Sequence, residues 1–352
     1  MKRKKAIDFL LVTLFAAILL TFTVIIGLGG GVVSPGEEGI AFSFNDNFRT
    51  DELLTSFVKY VDYRVFGHIN DNDILVGKDD WLFEVTDPEN GYERLLDYIG
   101  ENSFTEQELE LLAGEISRRA RSYEDEGIGY MMIVVPDSIT VCSDNVPWYL
   151  GKQSESTRLS VLTQRLSQKG ITQFVNPTAV MIAESGDLVM YNNTENSINA
   201  YGAYCIYNTA VTKMLADTGK VVDRIHRDEI EFFTRITDGR VIAQRAGLAR
   251  TIKNRTISVP DGMTDGYEVV YSNKNLITTK RTGVYPSNTR ECVVVECTND
   301  WDRIQLMPYF SNTFDTVNYR GRLLTHPSLA VNEGATVVIQ IIHEGELADL
   351  LK

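Results

Sequence analysis

Tyr130-Met-Met-Ile-Val-Val135-Pro136-Asp137 is a continuous apolar run that ends in a polar turn. A strand with one face in water alternates apolar and polar residues, so an unbroken run indicates a strand that is buried on both faces. Such strands are typical of parallel sheets with helices on either side. The stretch therefore predicts an α/β fold, and Asp137 is expected where this strand reaches the carboxyl edge of the sheet.

The segments around this strand alternate between helical and strand patterns. Thr105 and Glu108 form a capping-box pattern at the start of a helix predicted over about 105–126. Further helices are predicted over 45–70, 156–169 and 201–217, strands over 171–175, 292–296, 316–319 and 335–343, and a β-hairpin over 74–83 with its turn at 77–80. This order predicts a mainly parallel sheet with helices on both faces. Residues 228–290, rich in Thr, Arg and Gly, are predicted to form a β-rich excursion.

Composition narrows the classes of function. The chain has 352 residues, of which 43% are hydrophobic, and this is ample for a large core. Its net charge of −14 excludes a nucleic-acid binder, because phosphate binding needs a basic field. The four cysteines are too sparse for a disulfide framework, and the scattered histidines match no zinc spacing. No metal or other cofactor is predicted.

The N-terminus predicts a membrane anchor. A basic tail over residues 1–8 precedes an uncharged apolar run over 9–28, which is long enough to span a bilayer. The basic tail should stay cytoplasmic, so the rest of the chain is expected outside the cell membrane as a single-pass protein. A cleaved signal peptide is the alternative. Residues 29–44 are predicted to be a linker, and 45–350 the extracytoplasmic domain.

The order of several motifs resembles one protein family. The matching pieces are residues 57–67, Gly77-Lys-Asp-Asp-Trp-Leu-Phe83, Val135-Pro136-Asp137 with Asn145-Val-Pro147, Tyr191 to Ala203, Leu323-Leu-Thr-His-Pro327 and 335–344. Together they resemble the alginate O-acetylation proteins of the AlgJ/AlgX type and the clostridial DHHW proteins. The resemblance implies an SGNH-hydrolase-like (flavodoxin-like) fold over about 45–350. It also implies partners: a polysaccharide chain and a multipass membrane O-acyltransferase, beside which such proteins work outside the membrane.

The resemblance implies acyl transfer by a serine, a histidine that activates it and an aspartate that orients the histidine. The family's Asp-Thr-His-Trp-Asn-x-x-Gly-Ala corresponds to Glu195-Asn-Ser197-Ile-Asn199-Ala-Tyr-Gly-Ala203. Glu195 therefore takes the aspartate position and Ser197 the histidine position, while Asn199 is retained and could contact a ligand. Glu195 can still orient a base, but a serine hydroxyl cannot act as one near neutral pH.

The position of the nucleophile is also changed. The family's Gly-Asp-Ser turn aligns with Asn299-Asp300-Trp301 when counted back from Pro308, and with Glu296-Cys297-Thr298 when counted from the strand end. Thr298 is a conceivable nucleophile, and Asp300 is the counterpart of the turn aspartate. Cys297 is a more specific candidate for the nucleophile than Thr298, although a lone cysteine at the end of a strand is more often structural.

One histidine is placed where it could replace the missing base. His343 ends the last apolar strand, with Glu344 beside it, and the carboxyl ends of strands line the crevice of an open α/β sheet. The alternative is a solvated residue at a strand end. His326, followed by Pro327, is predicted to lie in a loop.

Two aromatic pairs could contact sugars. Trp148 and Tyr149 follow Pro147 in a predicted loop, where exposed rings could stack on carbohydrate. Trp81 and Phe83 in the hairpin are better interpreted as packing anchors.

The leading hypothesis is a membrane-anchored SGNH-like protein of a polysaccharide O-acetylation system that binds a glycan or partner and is catalytically degenerate. One alternative is an active O-acetyltransferase or esterase that uses Thr298 or Cys297 with His343. Another is an adaptor that binds no glycan.

Overall fold

The computed structural model describes residues 33–36, 39–42, 59, 63, 69, 71–88, 90–186, 188–218, 222–259, 261–283 and 291–352. The chain forms two compact units, Met1–Val58 and Lys59–Lys352. In the first, strands β1 (Val33–Gly36) and β2 (Gly39–Phe42) pair in antiparallel fashion. The anchor expected over 9–28 lies outside the described residues, as does most of the helix expected over 45–70. Among the described residues, no helix is long and apolar enough to cross a membrane.

The second unit is built on a seven-stranded sheet. Its strands are β5 (Gly129–Val135), β6 (Phe174–Val175), β9 (Tyr267–Ser272), β10 (Leu276–Arg281), β11 (Cys292–Cys297), β12 (Thr316–Arg320) and β13 (Val337–His343). They lie in the order β6-β5-β13-β11-β12-β10-β9. The first five in this order are parallel, whereas β10 pairs with β12 and β9 in antiparallel fashion. The expected mainly parallel sheet is confirmed.

Helices cover both faces of the sheet, as expected. They are α1 (Arg94–Ile99), α2 (Glu106–Glu124), α3 (Ser138–Val141), α4 (Arg158–Gln168), α5 (Thr178–Glu184), α6 (Ala200–Thr218), α7 (Val241–Arg245), α8 (Asp300–Thr313) and α9 (Ser328–Asn332), and a 3-10 helix spans Glu344–Leu351. Alternate side chains of β5 separate the two layers: Ile133 packs with residues of α6 and α8, and Met132 with residues of α2 and α4. The unbroken apolar run of β5 is explained by these two buried faces.

The described part of the segment 228–290, which was expected to form a β-rich excursion, divides into two. Its first half leaves the sheet as a hairpin of β7 (Phe233–Asp238) and β8 (Lys253–Ser258). Its second half contributes β9 and β10 to the main sheet, where the Thr279 side chain is fully buried. Antiparallel strands such as β9 and β10 need no crossover helix. The alternation of helix and strand patterns that predicted the parallel strands is therefore absent from this part of the sequence.

The hairpin expected over 74–83 is present as β3 (Ile74–Val76) and β4 (Leu82–Glu84). Asp79 and Asp80 have φ values of 53° and 64°, and Trp81 N donates to Lys78 O at 3.1 Å. This is a type I′ turn, in which aspartate is tolerated at left-handed positions. Tyr63 stabilises it by donating a 2.5 Å hydrogen bond to Asp80.

Candidate functional site

Three neighbouring parallel strands bring the candidate residues to one edge of the sheet. β13 lies between β5 and β11, with His343 opposite Val135 and Ile341 opposite Cys297. Because parallel strands end at the same edge, Asp137, His343 and Thr298 emerge at neighbouring positions. This carboxyl edge is the place where a crevice is expected in an open α/β sheet.

His343 forms a pair with Asp302 that the sequence did not indicate. Its Nε2 is hydrogen-bonded to Asp302 Oδ2. Asp302 is fully buried in the first turn of α8, and Asn299 holds this turn because its side chain accepts hydrogen bonds from Trp301 N and Asp302 N. Burial alone would lower the pKa of His343, but the adjacent Asp302 carboxylate raises it to about 9. The imidazole is therefore charged at neutral pH and is a poor proton acceptor there.

Thr298 is directed at a carboxylate and not at the histidine. Its Oγ1 donates a 2.5 Å hydrogen bond to Glu346, which also accepts a bond from His343 N at 3.2 Å. Among the described residues, no hydroxyl or thiol is hydrogen-bonded to the His343 ring. The nucleophile–base contact that covalent acyl transfer requires is not formed.

Neither Cys297 nor Asp300 is placed as a catalytic residue of a nucleophile turn would be. Cys297 is fully buried and donates its thiol to Asn299 O at 3.3 Å. Burial raises the pKa of the Cys297 thiol well above its usual range, so the reactive thiolate is disfavoured. Asp300 is exposed and forms an ion pair with Arg303 at 2.9 Å on the first turn of α8.

The segment 191–197 keeps a closed loop. Tyr191 and Ile198 form an isolated antiparallel bridge, and the Asn192 amide donates to Ser197 Oγ at 3.1 Å. Asn199 is buried, and its Oδ1 accepts bonds from Tyr201 N at 2.9 Å and Gly202 N at 3.1 Å. The Asn199 side chain thus caps the start of α6, while the Ser197 hydroxyl is engaged within the loop.

Glu195 faces an arginine from the β7–β8 excursion. Arg240 Nε lies 3.6 Å from Glu195 Oε1, and its guanidinium lies 5.3 Å from the centre of the Trp301 ring. Burial raises the pKa of Glu195, and the charge of Arg240 opposes this shift. Arg240 N also donates to Thr194 Oγ1 at 2.9 Å. The excursion is therefore joined to the positions that match the family's catalytic residues.

The β5 side of the edge is filled by a buried ionic cluster around Arg94. This guanidinium bonds Asp137 at 3.1 Å, Glu84 at 3.3 Å and Asp87. Glu344 accepts a 2.9 Å bond from Asp137 N, and burial, with the neighbouring Asp137, raises its pKa well above the usual range. Sequence reasoning placed Asp137 and Glu344 at strand ends but had no signal for Arg94, whose partners lie in two segments, 84–87 and the turn after β5.

The two aromatic pairs differ as expected. Trp81 and Phe83 are buried and stacked with centroids 5.5 Å apart. Trp148 and Tyr149 are 83% and 63% exposed, and lie in a short 3-10 helix. No cluster of His, Cys, Asp or Glu within the described part of the chain could hold a metal ion.

A cleft of about 180 Å³ opens beside the β3–β4 hairpin. It is lined by Trp81, Leu188, Val189, Asn193, Thr234, Arg255 and Ile257. None of the residues at the carboxyl edge that were considered for acyl transfer contributes to its lining.

In sum, Glu195, Thr298, Asp302 and His343 come together at the carboxyl edge. They form separate polar pairs instead of one relay, because Glu195 pairs with Arg240, Thr298 with Glu346 and His343 with Asp302. Ser197 is bonded to Asn192. Asp302 could not be found from sequence because its role depends on the rotation of α8 relative to β13.

Several solved structures resemble the overall fold of this chain. Bacillus cereus PatB1 carrying a sulfonyl adduct matches with a TM-score of 0.55 at 12% identity, covering 80% of this chain and 98% of that chain. A DHHW family protein from Eubacterium siraeum matches with a TM-score of 0.50 at 11% identity, covering 77% and 91%. The O-acetyltransferase domain of Pseudomonas putida AlgJ has a TM-score of 0.46 at 12% identity, covering 78% and 92%. No family model matches the sequence, and no curated protein is significantly similar to it. The chain therefore shares the SGNH-hydrolase-like α/β fold of PatB1 and the DHHW family protein.

Proposed function

We propose that this chain is an extracytoplasmic, membrane-anchored component of a polysaccharide O-acetylation system that binds glycan or a membrane acyltransferase without transferring acyl groups itself. The family motifs in the sequence and the shared fold support the pathway. The polar pairs at the carboxyl edge support the loss of transfer. The observation that carries most weight is that no hydroxyl or thiol of the described residues is bonded to the His343 ring, whose Nε2 is bonded to Asp302.

Three features of the carboxyl edge support the proposed loss of acyl transfer. A histidine with a pKa of about 9 is protonated at neutral pH and cannot remove a proton from a nucleophile. Ser197, at the family's histidine position, has no basic group. Cys297 is fully buried and its thiol pKa is raised, so it cannot reach an acyl donor as a thiolate.

The proposal is tested by acyl transfer and by covalent labelling in parallel. The full chain is incubated with 4-nitrophenyl acetate and, separately, with phenylmethylsulfonyl fluoride, and PatB1, which is known with a sulfonyl adduct, serves as the positive control. We expect no ester turnover above the rate of denatured protein and no sulfonyl mass increment on intact protein. Turnover that the reagent abolishes, with the increment mapped to one side chain, would refute the proposal.

An active enzyme with a relocated site is the second candidate, and the buried His343–Asp302 pair favours it, because such a pair could activate a water molecule or a hydroxyl. It requires a neutral imidazole, so turnover should rise with pH and level off above about 9. His343→Gln should then abolish the activity. A rate that is unchanged in His343→Gln excludes this candidate.

A further inference from the structure

The most exposed aromatic pair of the described residues lies on the loop that follows α3. Trp148 is 83% exposed and Tyr149 63%, with ring centroids 6.2 Å apart and an angle of 80° between the rings. Both ring systems therefore present apolar surface to water at one place. Aromatic side chains with such exposure are typical of binding surfaces, because their burial by a ligand is favourable.

The loop that carries these rings is well anchored. On one side Val146 is 3% exposed, and on the other Leu150 packs against the main core. Ser154 N donates to Tyr98 O at 2.9 Å, and the Gln153 amide donates to Thr140 Oγ1 at 3.1 Å. The exposure of the rings is thus a property of a fixed loop. A ligand would find the pair already in position, with little ordering cost.

The β3–β4 hairpin is bonded both to the loop that carries the pair and to the 191–197 segment. The turn residue Lys78 donates its N–H to Asn145 O at 2.7 Å and its Nζ to Asp144 O at 2.8 Å. On the other side, Leu82 N donates to Asn193 O at 2.9 Å, next to Glu195. The loop with the rings and the 191–197 segment are therefore held by the same hairpin.

Charge limits the class of ligand. The chain carries a net charge of −14. On the loop and the hairpin turn, exposed Asp79, Asp144 and Glu155 are matched by exposed Lys78 and Lys152 and by Arg255, which donates to Asp79 O. The local charges balance, so it is the net charge of the whole chain that repels a polyanion such as a uronic acid polymer, whereas a neutral or cationic polymer is not repelled. Pyranose rings present apolar C–H faces that suit aromatic stacking and hydroxyls that suit the polar rim.

We propose that Trp148 and Tyr149 form an aromatic platform that binds the sugar faces of a neutral or amino-sugar polysaccharide. The proposal rests on the glycan-binding role proposed above, and it adds the site and the charge class of the glycan. The platform lies apart from the residues considered for acyl transfer, so its role does not depend on whether those residues are active.

The test is calorimetric titration of the full chain with three oligosaccharides: chitopentaose, its fully de-N-acetylated counterpart and a galacturonic acid pentamer. We expect binding of one or both of the first two and weaker or undetectable binding of the third. Trp148→Ala and Tyr149→Ala should each weaken binding roughly tenfold. Trp148→Phe should retain most of the affinity. The matched control is Tyr271→Ala, which removes an aromatic ring that is 52% exposed on the edge strand β9.

Three results would overturn the platform: affinity that is unchanged in Trp148→Ala and Tyr149→Ala, tightest binding of the galacturonic acid pentamer, or binding of none of the three sugars. These outcomes are separable from the test of acyl transfer. A chain that turns over the acetyl ester but loses glycan binding in Trp148→Ala retains the platform and refutes the proposed loss of transfer. A chain with no turnover and with unchanged glycan affinity in Trp148→Ala refutes the platform and retains the proposed loss of transfer.

Discussion

His343 makes the stability of the protein depend on pH in a defined window. Its pKa is about 9 in the folded chain and about 6.5 in an unfolded one, so the folded state binds the proton more tightly. The resulting stabilisation is complete below pH 6.5 and is lost as the pH rises through 9. We expect the free energy of unfolding to fall by about 3 kcal/mol across this window. Urea unfolding at several pH values measures it.

The control for this prediction is another histidine of the same chain. His343→Gln should remove the decrease in stability over this window, whereas His326→Gln, in an exposed loop, should keep it. An undiminished decrease in His343→Gln would show that His343 is not the group that titrates. The bond to Asp302 thus has two effects: it keeps His343 protonated at neutral pH, and it makes the free energy of unfolding depend on pH.

At the scale of elements, the first turn of α8 determines where Asp302 lies. Asn299→Ala removes the acceptor for Trp301 N and Asp302 N, and we expect it to destabilise the chain by about 1 kcal/mol. Because Asp302 would then be held less firmly, the pH dependence from His343 should also weaken. Asn299→Ser should restore both, since serine caps helices about as well.

The matched control is the cap of a remote helix. Thr105→Ala removes the capping box of α2, in which Glu108 N donates to Thr105 Oγ1, and should cost a similar free energy. It should leave the pH dependence from His343 unchanged. Equal pH dependence in Asn299→Ala and Thr105→Ala would contradict the proposed link between the cap and Asp302.

Elements with local signals could be predicted from the sequence. The capping box of α2, the apolar run of β5 and the turn of the β3–β4 hairpin depend on neighbouring residues, and all three are confirmed. The antiparallel strands β9 and β10 were missed as members of the sheet, because the pairing of β10 with β12 joins segments that are distant in sequence. The candidate site was predictable to the same extent: His343 was expected at a strand end, but its partner Asp302 depends on packing between two elements.

At the scale of the whole molecule, Arg94 links separate parts of the second unit. It joins Glu84 of β4, Asp87 and Asp137 beyond the end of β5, and it is itself in α1. Arg94→Met would remove the cation that bonds buried Asp137, while Glu84 would keep Arg245 at 3.0 Å, so we expect a loss of about 3–5 kcal/mol in the free energy of unfolding at pH 8. The loss should be smaller at pH 5, because burial raises the pKa of Glu84 and its protonation removes one of the negative charges of the cluster.

Arg118 provides the comparison for this change. It bonds Glu115 on the exposed surface of α2, where 46% of its side chain is accessible, so Arg118→Met should cost less than about 1 kcal/mol. Similar losses in the two variants, measured by chemical unfolding, would show that the Arg94 cluster does not hold the carboxyl edge together.

The tight fit of the β3–β4 turn has a consequence for communication across the surface. A Cβ on Gly77 would lie only 2.6 Å from Asn145 O, so the turn and the loop before Trp148 cannot move independently. The same hairpin is hydrogen-bonded to Asn193 on its other side. Coupling free energies are reciprocal. A glycan that shifted this turn on binding to the proposed platform would therefore change the affinity of the 191–197 segment for any partner bound there, and that partner would change the affinity for glycan by the same factor.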